Sequence, residues 1–131
     1  MFKSLLIATA ITTTLSAGSA FAAAHAPQAA IHMITTESGK YYSDAKGMTL
    51  YTFDKDEKGV SNCNDGCAVK WPPLMAPDNA EAAGDFSVVT RADGSKQWAY
   101  KGMPLYTWFK DEKRGDMTGD GVKGVWHVAK P

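Results

Sequence analysis

Two short stretches of this 131-residue chain bring chemically useful groups together: Tyr51-x-Phe53-x-x-Asp56 and Tyr106-x-Trp108-x-x-Asp111. Each sets a phenol, a second aromatic ring and a carboxylate close together. One chemistry for such a trio is a pair of equivalent pockets, each with an aromatic wall and one carboxylate, suited to a small cationic or sugar-like ligand. The other is structural. The rings fill a core while the tyrosine hydroxyl keeps a polar partner, and Asp56 and Asp111 accept backbone N–H groups in the turn after the strand. The structural reading is the preferred one.

Other residues carry weaker signals. Cys63 and Cys67 are the sole cysteines, and an even pair in an exported chain reads as a disulfide. The ring they close is short, so it stabilises by roughly 2 kcal/mol and shapes one loop. His32, Met33, Met48, Met103 and His127 raise a copper-handling alternative, but none share a diagnostic ligand spacing. Asp116-x-Thr118-x-Asp120-Gly121 resembles half of a calcium loop, with His127 where the closing glutamate belongs; these four are weak metal candidates. No nucleophile elbow, zinc-protease motif or phosphate-cradling glycine loop is present. The chain is therefore read as non-enzymatic, without a cofactor.

The elements that must position these groups are strands. Residues 47–58 and 102–113 are identical at 9 of 12 positions and lie 55 apart, an offset that also maps Trp71 onto Trp126. Dense self-similarity marks one supersecondary unit used twice. Short apolar runs broken by Gly, Pro, Asp and Asn predict strands at 40–43, 48–54, 86–91, 96–100, 104–109 and 125–129. Asp93-Gly94 predicts a hairpin turn, and Lys46-Gly47 and Lys101-Gly102 two equivalent turns. Period-2 geometry puts Tyr51 and Phe53 on one face with Leu50 opposite. It puts Tyr106 and Trp108 together with Leu105 and Phe109 opposite. Strands apolar on both sides belong in a sheet packed on both faces.

The expected fold is a small all-β antiparallel domain of two hairpin units with long irregular loops at 57–80 and 110–124. Repeat one is expected over about 40–75 and repeat two over about 95–129, within a single domain at 38–130. Residues 1–22 read as a signal peptide with an Ala20-Phe21-Ala22 cleavage site, and 23–37 as a flexible tail. The expected location is the periplasm or the exterior. Beyond Lys3 the chain has 13 basic and 14 acidic residues, so nothing favours nucleic acid or an anionic membrane. No transmembrane segment or lipid anchor is expected.

The repeated motif resembles that of a bacterial exported family, many of them lipoproteins, defined by a Y-x-[FWY]-x-x-D repeat. The resemblance continues through Ser61-Asn62-Cys63, Gly66-Cys67, Trp71-Pro72-Pro73, Arg91-x-Asp93-Gly94, Gln97-Trp98-x-Tyr100, Pro104-Leu105-Tyr106, Gly115-Asp116 and Val125-Trp126. It spans about residues 38–129. The chain lacks the lipidation cysteine and so is similar to the soluble members. The family's function is unknown, so the resemblance implies export and repeat architecture. The functional expectation is a binding or interaction module for an envelope protein or small ligand. Its surface would combine the long loops with Trp71, Pro72, Pro73, Trp98 and Trp126. A redox or copper role is the alternative, and an enzyme acting on envelope carbohydrate ranks below both.

Overall fold

The computed structural model describes residues 27–131. The expected signal peptide, its cleavage site and the start of the expected tail lie outside the described residues. After a short helix α1 (Pro27–Ala30), strands β1 (Ile31–Thr36) and β2 (Gly39–Asp44) form an antiparallel hairpin with Ile31 opposite Asp44. Strands β5 (Phe86–Thr90) and β6 (Lys96–Tyr100) form its counterpart, with Phe86 opposite Tyr100. The second hairpin closes at Asp93-Gly94, where Asp93 Oδ1 accepts from Ser95 N at 2.9 Å and from Ser95 Oγ at 2.6 Å. The next turn in each repeat centres on Gly47 (φ 86°) and Gly102 (φ 85°), a conformation open to glycine.

Beyond each hairpin the chain crosses to the other repeat. Strand β3 (Tyr51–Phe53) pairs with β8 (Trp126–Val128). Equivalently, Tyr106 bridges Pro73, and Thr107 N donates to Pro72 O at 2.9 Å. Strand β4 (Met75–Ala76) adds to β6, which also pairs β7 (Met103–Pro104). The exchange is matched bond for bond. Leu74 N donates to Leu105 O (2.9 Å) and Trp98 N to Leu74 O (2.9 Å), while Ala129 N donates to Leu50 O (2.8 Å) and Tyr42 N to Ala129 O (3.0 Å). At the centre, Tyr51 and Tyr106 exchange both backbone hydrogen bonds, at 2.8 and 3.0 Å. Each repeat thus lends its last strand to its twin around a pseudo-twofold axis.

Both faces of these crossing strands are packed. Tyr51, Phe53, Tyr106 and Trp108 enter one cluster with Trp71 and Trp126, whereas Leu50 and Leu105 enter another with Tyr42, Trp98 and Tyr100. Four expectations need correction. Residues 31–36 are not tail but β1; the apolar positions Ile31, Met33 and Ile34 do not alternate, which hides the strand. The long strands expected at 48–54 and 104–109 are broken, because the chain changes partner at Tyr51 and Tyr106. Phe109 is half exposed (50%), since the backbone turns there, with Asp111 N donating to Trp108 O at 3.1 Å. The loop at 57–80 also holds a one-turn helix, α2 (Gly66–Lys70).

Candidate functional site

The repeated tyrosines and aspartates meet across the repeats, not within them. Tyr51 Oη donates to Asp111 Oδ2 at 2.6 Å, and Tyr106 Oη donates to Asp56 Oδ2 at 2.7 Å. The second oxygen of each carboxylate closes its own turn: Asp56 Oδ1 accepts from Asn62 N (2.6 Å), and Asp111 Oδ1 from Thr118 N (2.9 Å) and Thr118 Oγ1 (2.7 Å). Both tyrosines are fully buried and both aspartates nearly so. With every carboxylate oxygen engaged by the protein, the alternative of two carboxylate pockets has no open acceptor behind it. Burial, followed by the Asp111 bond, holds the Tyr51 phenol well above its ordinary value.

The two copies end differently. On the Asp56 side the donors form a chain: Arg91 Nη1 to Ser61 Oγ (3.0 Å), Ser61 to Tyr106 Oη (2.6 Å), and Tyr106 to Asp56. Arg91 also donates to Gln97 Oε1 (2.7 Å), Cys63 O (2.8 Å) and Asn64 Oδ1 (3.1 Å). On the Asp111 side Tyr51 Oη accepts from Gly119 N (3.2 Å). The 55-residue offset places Thr36 opposite Arg91. Only repeat two therefore carries the cation, which pins the Cys63–Cys67 disulfide loop of repeat one.

Burial raises the Asp56 carboxyl above its ordinary 3.8, against the lowering pull of the Asn62 N–H, the Tyr106 hydroxyl and Arg91. The folded chain then holds that proton more tightly than the unfolded chain. Asp56 contributes stability that is fully present below pH 3.8 and is lost as pH rises through the raised folded value. Urea midpoints compared with those of Asp56→Asn should show the wild type gaining on the variant as pH falls through the carboxylate range. A wild type that loses ground on acidification would contradict this.

Trp71 (4% exposed), Trp98 (0%) and Trp126 (3%) are not a surface as expected; strand exchange carries Trp71 and Trp126 into the central cluster, and Trp98 on β6 packs with Leu50 and Leu105. Phe53, Trp126, Trp71 and Trp108 form a continuous stack, with centroid separations of 4.1, 3.7 and 3.9 Å. The offset pairs Phe53 with Trp108 and Trp71 with Trp126, so the stack reads the same from both ends and the pseudo-axis passes through its middle. Gly119 backs it. A Cβ there would meet Trp71 Cη2 at 2.8 Å and Trp108 Cγ at 2.9 Å. Gly119→Ala is expected to cost about 1–3 kcal/mol through overpacking, read as a lowered urea midpoint; an unchanged midpoint would mean the stack shifts freely.

Beside the stack lies a cavity of about 380 Å³. All four rings line it, with Gly66, Cys67 and Lys70 from the first long loop and Val122, Lys123 and Val125 from the second; Lys55 completes the rim. The two unequal loops therefore converge on one place. A larger hollow of about 520 Å³ beside Asn64, Asp65, Ala68, Arg91, Ala92 and Asp93 has no aromatic wall.

The weak metal candidates do not converge. Asp116 Oδ2 accepts from Glu112 N (2.9 Å) and Lys113 N (3.1 Å), and Thr118 serves Asp111. Asp120 Oδ1 accepts from Val128 N (3.1 Å), and His127 Nε2 meets Asp54 Oδ2 at 2.7 Å. Among the described residues no three His, Cys, Asp or Glu side chains cluster as a metal site would require. His32 and Met33 sit exposed on β1. Pro72 and Pro73 are half-buried and pair with the Tyr106 strand. Arg91, Ser61 and Gln97 were conspicuous in sequence only as matched motif positions; the contrast between Arg91 and Thr36 was the signal available for the buried network.

The fold and the crossed motif define an internally duplicated, strand-exchanged all-β module. The chain belongs to the family of secreted repeats of unknown function, whose model matches residues 32–75 and 87–130. These segments also lie 55 apart, and they start a strand earlier than the repeats expected at 40 and 95, because β1 and most of β5 belong to the unit. Neither the curated proteins nor the solved structures contain a significant match to the chain.

Proposed function

We propose that this secreted protein is a non-catalytic binding module of the periplasm or exterior, and that its site is the cavity on the pseudo-axis. The observation that carries the reading is the convergence of both unequal loops on a preformed aromatic floor. Pockets of about 300–1,000 Å³ lined mainly by apolar and aromatic groups, with a few placed polar ones, are the usual form of small-ligand sites. The Tyr–Asp motif is the frame that holds the floor, and the loops supply the selectivity. The test is thermal unfolding of the exported protein against fractionated small-molecule extract of its native envelope. A ligand at about 100 times its Kd adds about 2.7 kcal/mol, a clear rise in midpoint. Extract fractions that leave the midpoint unmoved throughout would count against the module reading.

A further inference from the structure

We propose that the cavity takes a small planar anion: a flat, unsaturated or aromatic body bearing a carboxylate, sulfonate or phosphate. The proposal rests on the binding-module reading and adds the ligand's chemistry.

The polar side chains in the wall are all donors. Lys55, Lys70 and Lys123 supply three ammonium groups, and among the described residues no carboxylate, amide or hydroxyl side chain lines the cavity. Among the described residues the one ion pair within 4.0 Å is His127 with Asp54, so no described carboxylate lies within that distance of any of the three lysines. A cation would have the ring faces to attract it but three like charges against it. An anion would find three ammonium groups, in a chain whose overall charge is balanced.

The shape selects the body. The floor is a stack whose two central rings lie 3.7 Å apart and are tilted by only 3°. Ring surfaces and edges of this kind favour a flat partner through offset or edge-to-face contact. The positive charge is also the part of the site that the duplication did not impose. The offset puts Val125 opposite Lys70 and Ala68 opposite Lys123. The aromatic floor follows from the symmetry of the fold, whereas two of the three lysines depart from it.

The experiment compares three matched probes on the full exported protein: naphthalenesulfonate, neutral naphthylmethanol and naphthylmethylammonium, followed by tryptophan fluorescence. The sulfonate should bind at least about tenfold more tightly than the ammonium. Its affinity should fall as salt rises from about 0.05 to about 0.5 M, because the lysines are exposed and screened. The variant Lys55→Gln/Lys70→Gln/Lys123→Gln should erase the preference while its melting curve stays that of a folded protein. The neutral or cationic probe binding as well as the sulfonate would overturn the anion proposal and leave the pocket standing. Failure of all three probes to bind would overturn the proposal together with the pocket reading beneath it.

Discussion

Tyr106→Ala is expected to destabilise the protein by about 3–5 kcal/mol, the range for deleting a large buried ring. The residue has no exposed surface, and its ring meets Trp126 edge-on at 5.2 Å between centroids. Its hydroxyl satisfies Asp56 Oδ2 and accepts from Ser61. Tyr106→Phe separates these roles. It keeps the ring but strands a buried carboxylate oxygen, which costs about 1–3 kcal/mol. Urea denaturation followed by fluorescence and far-UV circular dichroism measures both. If Tyr106→Phe matched the wild type, the crossed bond to Asp56 would not be holding the repeats together. A single domain commonly has about 5–15 kcal/mol in total, so the alanine variant should lie near the edge of folding.

Arg91→Ala is expected to be similarly severe, at about 3–5 kcal/mol, because it leaves several buried acceptors unpaired at about 1–3 kcal/mol each. Arg91 is 7% exposed, and its guanidinium donates to four acceptors, three of them on the disulfide loop of the opposite repeat. Truncation leaves the Cys63 carbonyl, Gln97 Oε1 and Ser61 Oγ short of donors in a buried setting. It also removes the one nearby positive charge that favours the ionised form of Asp56. Arg91→Lys should recover only part of the loss, because an ammonium cannot reproduce the planar fork of donors. Equal midpoints for the lysine variant and the wild type would show that charge alone suffices there. Equal midpoints for the alanine variant would contradict the clamp altogether.

Much of this fold was legible locally. The duplication, the hairpin at Asp93-Gly94, the opposed faces of Tyr51 and Leu50, and the Cys63–Cys67 bond all follow from residues close in sequence. The strand exchange was not, because repeats one and two present nearly identical strands to each other. Tyr51 could bond the aspartate of its own copy or of its twin, and only the three-dimensional path chooses Asp111. The same limit hid the site. Lys55, Lys70 and Lys123 belong to separate loops, and nothing in their spacing tells that an exchanged strand brings Trp126 against Trp71 between them. Trp98 looked like a surface residue because its neighbours in sequence, Gln97 and Ala99, are not strongly apolar. In the structure all three are buried, with Gln97 satisfied by Arg91 and by the Leu105 carbonyl.

The division of labour, with the repeated motif as frame and the lysine-rimmed cavity as site, is tested most directly by one titration. Naphthalenesulfonate is added to the wild type, to Tyr106→Phe and to the triple lysine-to-glutamine variant, at a temperature where all three are folded. Tyr106→Phe should bind with nearly the wild-type Kd despite its lower stability. The lysine variant should bind at least about tenfold more weakly with its stability unchanged. The reverse pattern, with affinity lost on removing the Tyr106 hydroxyl and kept without the lysines, would contradict it.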